Sequence, residues 1–405
     1  MARLVLPLEV GRVCVTKSVY RSKPTVQSWF LEGVKLESFM ERREVNDILR
    51  GIKDARAQHQ GIALASVVRV RGSAYRREGA QMLIRDDGSH VCMLSGGCLE
   101  PEVVLGAKYV MQDQMPSLTG YDLAEDVVWG LGIGCGGSVD IYVEPVNDDP
   151  ILNTWLAILE RGELAVLATM LPAQATSIPS PALGRVLVLE SGEMIGNIGA
   201  DLEQAVKLAA LEMMRALYPR SETKVFNSSS VFLAASAPPP ELVIFGAGHD
   251  AIPLCARATD LGWAVTVVDA RARFLTPERF PDSHLEVRED YTHLKLNPRS
   301  FVMVMNHHLE RDERSLRFAL ESVAPYVGVL GPRARFLDLL ERLEKKGFTP
   351  NAAQLERTRN PVGLDIGAES PDEVALSVMS ELIAVRRGFM GGVLNGRNGR
   401  IHDVL

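Results

Sequence analysis

The sequence predicts a mixed α/β fold in two parts. The first is an N-terminal α+β domain with an internally duplicated strand-turn-strand-helix unit, and the second is a C-terminal Rossmann-like domain on a doubly wound parallel sheet. Two observations lead to this prediction: residues 62–110 and 164–213 match each other weakly but in order, and strands alternate with helices after residue 240. The length of 405 residues accommodates two or three domains.

The composition is that of an ordinary globular chain, with 46% hydrophobic residues, 23% charged residues and a net charge of −7. That charge argues against a nucleic-acid partner and against electrostatic binding to an anionic membrane. No apolar run reaches the ~18 residues of a membrane span, and the first residues lack a signal-peptide core. We therefore expect a cytoplasmic protein with no integral membrane segment.

The sequence divides into five predicted segments. Residues 1–40 lack clear periodicity, whereas residues 39–59 show the apolar spacing of an amphipathic helix and a strand follows. A serine run followed by three prolines predicts an extended connection that neither a helix nor a central strand can continue through. The predicted segments are an N-terminal extension (1–40), a first domain (41–222), a linker (223–240), a Rossmann-like domain (241–390) and a C-terminal tail (391–405).

The two copies of the duplicated unit serve as controls for each other. Glycine, leucine and glutamate recur at the turn before the helix, so these residues belong to the shared architecture. Cys98 does not recur, because its counterpart is Asp201. The residues shared by the two copies are Gly96, Leu99 and Glu100 in the first and Gly199, Leu202 and Glu203 in the second.

Two cysteines lie in glycine-rich turns. Cys98 precedes a predicted helix, whose N-terminal field favours the reactive thiolate, and Cys135 is surrounded by glycines that leave the sulfur uncovered. The two thiols suggest a soft-metal or sulfur-handling site, although a free cysteine can also be a small buried hydrophobe. Their separation of 37 positions is not a zinc pattern. The other cysteines, predicted to be structural, are Cys14, Cys92 and Cys255.

The second domain opens with a dinucleotide-binding fingerprint. Gly246 and Gly248 follow a hydrophobic strand and precede a helix, with Ala251 at the third position of the pattern. Asp269 ends the next strand, where a carboxylate would accept hydrogen bonds from ribose hydroxyls. The pattern favours a nucleotide-like or phosphate-bearing ligand, with NAD(P) as one candidate. The alternative is that the glycines only build a compact turn.

Other polar residues follow the strands of this domain. Arg271 and Arg273 could bind an anion or could be surface charges, and His307 and His308 lie after a strand at the edge where open α/β sheets bind ligands. The histidines could contact a ligand, transfer a proton or cap an exposed turn. Asp312 is interpreted first as a helix N-terminal acid.

Together these motifs resemble the XdhC/CoxI family of xanthine dehydrogenase accessory proteins over roughly residues 45–145 and 240–390. The segments that carry the resemblance are GSAYRREGAQMLI (72–84), LSGGCLE (94–100), GIGCGGSVDIYVEP (132–145), VIFGAGHDA (243–251), VVDAR (267–271) and the stretch from Asn360 to Gly388.

The resemblance implies a maturation factor more than a classical enzyme. Such proteins bind the molybdenum cofactor, shelter it while a cysteine desulfurase supplies its sulfido ligand, and insert it into an apo-enzyme of the xanthine dehydrogenase type; homodimers are typical. It also implies site residues. Cys98 and Cys135 would hold molybdenum or relay sulfur, while Gly246, Gly248 and Asp269 would form the second-domain pocket. Beside the resemblance, the other candidate cofactor-binding residues are Gly96, Gly97, Glu100, Gly136, Gly137, Arg271 and His307.

This chain departs from the family pattern in two places. Members often have His-Asp-His where this chain has Asn306-His307-His308, and Gly-Ser-Arg where it has Gly331-Pro332-Arg333. The first change removes a carboxylate, so no metal or proton-transfer role carries over there. Before the last helix, Ser370 and Glu373 form a predicted capping box, and the preceding glycines shape either a ligand-facing or an interdomain loop.

The sequence leaves two other functions open. An NAD(P)-dependent oxidoreductase would use the Rossmann-like domain for its cofactor and would need His307 or His308 as acid or base. A pure scaffold between a desulfurase and a hydroxylase would need neither thiol to react. Hydride transfer to a nicotinamide would favour the first, and maturation that survives both cysteine substitutions would favour the second.

Overall fold

The computed structural model describes residues 42–123 and 137–395. The first domain consists of two copies of one helix-and-sheet unit, so the predicted duplication is confirmed and extends further than the matched segments. The first repeat (residues 42–145) contains α1 (Arg42–Ala57), β1 (Ile62–Arg71), β2 (Gln81–Arg85), β3 (His90–Val91), α2 (Glu100–Asp113), β4 (Ser117–Asp122) and β5 (Ser138–Pro145). The second repeat (residues 150–236) contains α3 (Pro150–Arg161), β6 (Ala165–Met170), β7 (Arg185–Leu189), β8 (Met194–Asn197), α4 (Ala200–Arg215), β9 (Glu222–Phe226) and β10 (Ser229–Ser236).

The two repeats have the same sheet topology. Their strand orders are β3-β2-β1-β5-β4 and β8-β7-β6-β10-β9, and every neighbouring pair is antiparallel. Helices α1 and α3 pack together in one core that also takes apolar side chains from both sheets, including Leu64 and Leu167. Helices α2 and α4 pack in separate cores, each with its own sheet.

The predicted linker over 223–240 is wrong for most of its length. Strands β9 and β10 form a hairpin there, and β10 pairs with β6 inside the second sheet. The two strands are joined by a two-residue turn at Asn227 and Ser228, whose φ angles of 46° and 71° are those that such a hairpin requires, and the other two serines of the run begin β10. Of the predicted linker, residues 237–240 alone connect the hairpin to the next strand.

The second domain is the predicted doubly wound parallel sheet, with strand order β13-β12-β11-β14-β15-β16. Helices α5 and α9 cover one face, and α6 and α7 cover the other. The order reverses between β11 and β14, which places a crevice outside their carboxyl ends. The elements are β11 (Glu241–Phe245), α5 (Ala251–Asp260), β12 (Ala264–Asp269), β13 (His284–Val287), β14 (Ser300–Val304), α6 (Leu309–Glu321), β15 (Tyr326–Val329), α7 (Arg333–Lys345), α8 (Ala352–Glu356), β16 (Thr358–Arg359) and α9 (Pro371–Arg387).

Helix α9 begins with the predicted capping box. The Ser370 hydroxyl accepts a hydrogen bond from the Glu373 N–H, and the Glu373 carboxylate accepts one from the Ser370 N–H. In the loop before it, a Cβ on Gly363 would overlap the Ser377 hydroxyl, so this glycine permits the loop to pack against its own helix. Within residues 42–123 and 137–395, no helix is long and apolar enough to cross a membrane.

Candidate functional site

The turn that carries Cys98, residues 94–100, is organised around one hydroxyl. Ser95 Oγ accepts hydrogen bonds from the N–H groups of Gly97, Cys98 and Leu99 at 3.3, 3.1 and 3.2 Å. The same hydroxyl donates to Glu100 Oε2 at 2.6 Å. We call residues 94–100 the cysteine turn. Its backbone conformation is therefore set before any ligand arrives.

The Glu100 carboxylate stabilises the cysteine turn by accepting hydrogen bonds from its first residues. Its Oε1 accepts hydrogen bonds from the Leu94 and Ser95 N–H groups at 3.0 and 2.7 Å, and the residue is buried. Burial opposes ionisation, but the hydrogen bonds from Ser95 and the backbone outweigh it, so the pKa of the Glu100 carboxyl is lowered. The predicted cofactor contact by Glu100 gains no support, because this carboxylate already binds the turn.

The outer side of the cysteine turn is open. Cys98 is partly exposed, and a Cβ added to Gly96 or Gly97 would meet no atom within 4 Å. Gly97 has a φ of 105°, which favours glycine. A pocket of about 410 Å³ borders the turn and is lined by Gly88, His90, Met93, Gly96, Gly97, Glu100, Pro101 and Val104.

Segment 124–136, which carries Cys135, is flanked by residues at the end of the first sheet where β1 ends. The Leu123 N–H donates to the Gly137 carbonyl at 2.8 Å, and β5 begins at Ser138, opposite Arg71 at the end of β1. Because β3 runs antiparallel to β2, the chain leaves Val91 towards the same end of the sheet. The cysteine turn and both ends of segment 124–136 therefore share one sheet end.

The predictions for Cys135 and Gly136 lie outside the described residues. Gly137 is described and is buried. A Cβ there would overlap the carbonyl oxygens of Arg71 and Ser73, so close backbone packing explains this glycine without a cofactor.

Of the remaining cysteines, Cys92 is partly buried, Cys255 is buried and Cys14 lies outside the described residues. Burial, with a contribution from the Glu44 carboxylate, raises the pKa of Cys92 to about 11. Burial also raises the pKa of Cys255, whose sulfur lies 2.8 Å from the Ser283 hydroxyl. Across the described ranges, no group of three or more His, Cys, Asp or Glu side chains could hold a metal ion.

In the second domain, residues 246–250 form the glycine turn between β11 and α5. Gly246 has a φ of 117°, and a Cβ there would overlap the Met305 carbonyl and lie 2.6 Å from Asn306 Cα. This glycine is needed because β11 and β14 approach closely at the switch in strand order. The Arg279 guanidinium donates to the carbonyl groups of Ala247 and Gly248 at 3.0 and 3.4 Å, which holds the turn from behind.

Asp269 was predicted to accept hydrogen bonds from a ligand in the crevice, but its carboxylate faces the glycine turn and Arg271 instead. Its Oδ2 accepts hydrogen bonds from the Ala247 N–H and from Arg271 Nη2, both at 2.8 Å. Its Oδ1 accepts from the Arg271 N–H at 2.8 Å and from Arg271 Nε at 3.0 Å. Burial opposes ionisation, but these donors prevail and lower the pKa of Asp269. Asp269 and Arg271 thus brace the glycine turn.

His307 lies over the glycine turn. Its Nε2 is 3.0 Å from Asp250 Oδ2, and a Cβ on Gly248 would lie 3.3 Å from His307 Cδ2. The residue has a φ of 55°, a conformation that is uncommon outside glycine and is often found at functional sites. His308 is the residue before α6, and its side chain does not cap that helix.

Asn306, the family departure, has a structural role. Its backbone and side-chain N–H groups donate to Asp312 Oδ1 at 2.9 and 3.1 Å, and its amide also donates to Ser315 Oγ. Asp312 Oδ2 in turn accepts from Arg335 Nη2 at 2.5 Å. Asp312 therefore links β14, α6 and α7.

Between these groups and the start of α9 lies a second pocket of about 410 Å³, which we call the carboxyl-edge pocket. The sequence predicted His307 there but missed its other polar residues, which come from separate segments; position just after a parallel strand was the one available signal. The lining residues are Asp250, His307, Leu330, Gly331, Pro332, Arg335, Glu369, Pro371 and Val374.

Comparison with known proteins supports the family suggested by the motifs. The family model of the XdhC Rossmann domain matches residues 242–382, and the model of the XdhC and CoxI family matches residues 55–122. A crystal structure described as a xanthine dehydrogenase from Bacillus halodurans is 30% identical, with a TM-score of 0.68, and the match covers 84% of this chain and 96% of that one.

Two curated relatives match over most of their length. A Bacillus subtilis protein named as a probable xanthine dehydrogenase subunit is 29% identical over 335 residues, which cover 80% of this chain and 93% of that protein. The "Molybdenum cofactor insertion chaperone PaoD" of Escherichia coli is 24% identical over 340 residues, which cover 84% and 88%. With both family models matched in order and a 30% identical structure aligned over nearly its whole length, this chain belongs to the XdhC/CoxI family.

Proposed function

We propose that this protein is an accessory factor that binds the molybdenum cofactor and delivers it to an apo-enzyme of the xanthine dehydrogenase type. The names of the two curated relatives support this role. The observation that carries it is the cysteine turn, where a partly exposed thiol stands on a backbone already organised by Ser95 and Glu100. Thiolate is a soft ligand, which suits both molybdenum and persulfide sulfur.

In this proposal the metal and sulfur end of the cofactor binds to the first domain. Cys98 would contact the metal or carry sulfur, and the uncovered backbone of Gly96 and Gly97 would let a bulky cofactor approach. Cys135 would act with Cys98, since the ends of its segment share the same sheet end. In this proposal Glu100 positions the turn and does not contact the cargo.

The wider proposal includes the partners and setting of this reaction. A cysteine desulfurase would donate the sulfur while the cofactor is held, and the protein would act as a cytoplasmic homodimer. A persulfide on Cys98 after incubation with a persulfide-loaded desulfurase would support the relay, because the Cys98 thiolate takes the outer sulfur and the desulfurase cysteine leaves as a thiolate. The absence of such a species with wild-type protein would contradict it.

The test is to purify the protein anaerobically from cells supplied with molybdate and to measure molybdenum and pterin per chain. Cys98→Ala and Cys135→Ala should lower both contents, whereas the matched control Cys92→Ala removes a thiol with a raised pKa and should not. Wild-type protein that contains neither molybdenum nor pterin would contradict the proposal. Full loading of both cysteine variants would show that neither thiol is needed to hold the cofactor.

The oxidoreductase alternative has less support. In a Rossmann enzyme the acid at the end of the second strand accepts the ribose hydroxyls, and here Asp269 is occupied by Arg271 and the Ala247 N–H. The residues present do not fit a dinucleotide, and we derive no hydride transfer from them. Hydride transfer by the purified protein would reverse this conclusion.

A further inference from the structure

The parallel-sheet domain has the glycine turn of a dinucleotide site. Its own side chains, however, fill the positions at which a dinucleotide would place its ribose and its pyrophosphate. The first is the ribose position. A carboxylate has about four lone-pair sites, and Asp269 accepts four hydrogen bonds from Ala247 and Arg271. The residue is 2% exposed, so no acceptor remains for a ribose.

The second closed place is the pyrophosphate position. The second glycine of the fingerprint normally leaves room for a pyrophosphate to approach the backbone. Here the His307 imidazole stands beside Gly248, 3.3 Å from the position of a Cβ, and Asp250 holds it there at 3.0 Å. A pyrophosphate at Gly248 would therefore have to displace the His307 imidazole from Asp250.

The open volume lies next to this closed site, towards β15. Leu330, Pro332 and Val374 give the carboxyl-edge pocket apolar walls that suit a flat ring. Glu369 is exposed, and its carboxylate accepts no hydrogen bond from any residue between 42 and 123 or 137 and 395. Arg335, by contrast, is already paired with Asp312.

The charges of the pocket favour a ligand with hydrogen-bond donors over a phosphate. Two carboxylates, Asp250 and Glu369, line it, and the guanidinium of Arg335 is neutralised by Asp312. A carboxylate accepts two parallel N–H groups well, as in its bidentate pairs. The 2-amino-4-oxopyrimidine ring of a pterin presents such a pair from N3 and the 2-amino group.

We propose that the carboxyl-edge pocket binds the 2-amino-4-oxopyrimidine edge of a pterin through Glu369 and that the adjoining glycine turn no longer binds NAD(P). This inference rests on the proposed function, since the pterin is part of the molybdenum cofactor. It assigns recognition of the organic ring to the second domain and leaves the sulfur chemistry to the cysteine turn.

The test compares two fluorescent rings that differ at one position. Pterin carries the 2-amino group, and lumazine carries an oxygen there. We expect the full-length protein to bind pterin about tenfold more tightly than lumazine in a fluorescence titration. Glu369→Gln should remove this preference mainly by weakening pterin binding. The control Asp372→Asn changes an exposed carboxylate outside the pocket and should keep it.

Three results would overturn the inference. These are equal binding of pterin and lumazine by the wild type, an unchanged preference in Glu369→Gln, and saturable micromolar binding of NAD or NADP. The proposed function is judged separately by molybdenum and pterin content. Protein that purifies with both, yet shows no dependence on Glu369, would retain the function and lose this assignment of its pocket.

Discussion

The two repeats of the first domain share every strand and helix, yet two connections are much longer in the first repeat than in the second. Between the third strand and the following helix, the first repeat has residues 92–99 and the second has only Ile198 and Gly199. Between the last two strands, the first repeat has residues 123–137 and the second has the turn Asn227-Ser228. The shared topology belongs to the fold, so we expect the function proposed for the first repeat to depend on its two longer connections.

The cysteine turn also alters how its helix begins. Asp201, the counterpart of Cys98, is the second residue of α4, whereas Cys98 precedes α2 by two positions. The first repeat thus replaces the start of a helix with a turn held by Ser95 and Glu100. Cys98 therefore lies on a turn with its own supporting residues, and the counterpart residues of the second repeat provide the controls.

The greatest loss of stability is expected at Gly137, where β5 is preceded by the longer connection of the first repeat. Gly137→Ala forces a methyl group into the carbonyl oxygens of Arg71 and Ser73, which belong to backbone and cannot move aside easily. We expect a loss of about 3 kcal/mol in the free energy of unfolding, measured by urea denaturation. The same change at Gly106, in the middle of α2 with nothing within 4 Å, should instead stabilise by about 0.5–1 kcal/mol. Equal effects at both sites would refute the packing argument.

A smaller effect should separate the two equivalent glutamates. Glu100→Gln weakens the hydrogen bonds from Leu94, Ser95 and the Ser95 hydroxyl, and should cost about 2 kcal/mol in the free energy of unfolding. Glu203 is exposed in α4, so Glu203→Gln should change it by less than about 0.5 kcal/mol. If both variants unfold at the same urea concentration, the cysteine turn does not depend on Glu100.

The cost of Glu100→Gln should depend on pH in one direction. The folded state lowers the pKa of Glu100 below its unfolded value of about 4.3. Its stabilisation is therefore complete above that value and is lost as the pH falls through the lowered folded-state pKa. Urea denaturation of wild type and variant should show a constant difference from pH 7 to about pH 5 and a shrinking one below about pH 4. A difference that grew on acidification would contradict the assignment.

Much of the fold could be predicted because its signals are local. Strand alternation, the glycine turn and the Ser370–Glu373 capping box each lie within a few residues of sequence. The hairpin at Asn227-Ser228 was missed because neither residue is glycine, although both adopt left-handed angles. A serine run carries no signal for that conformation.

The candidate sites were harder to predict because their contacts are distant or depend on side-chain geometry. Motifs identified Cys98, Gly97 and His307. They could not show that the Arg271 guanidinium donates hydrogen bonds to both carboxylate oxygens of Asp269. Nor could they bring Glu369 beside Asp250, since the parallel sheet and α9 create that proximity. Types of residue are visible in a sequence, whereas the direction in which a carboxylate faces is not.

A change in the β9–β10 turn should have a small effect on stability and tests whether the second repeat contributes to cofactor binding. Ser228 holds a φ of 71° without being glycine, and Ser228→Gly would create the Asn-Gly pair that such turns prefer. Relief of the left-handed strain should stabilise the protein by about 0.5–1 kcal/mol in urea denaturation. Ser228→Ala keeps the Cβ and should give no gain. Molybdenum and pterin content should stay unchanged in both variants, because the second repeat lacks the cysteine turn. A drop in either with Ser228→Gly would mean that the second repeat also takes part in cofactor binding.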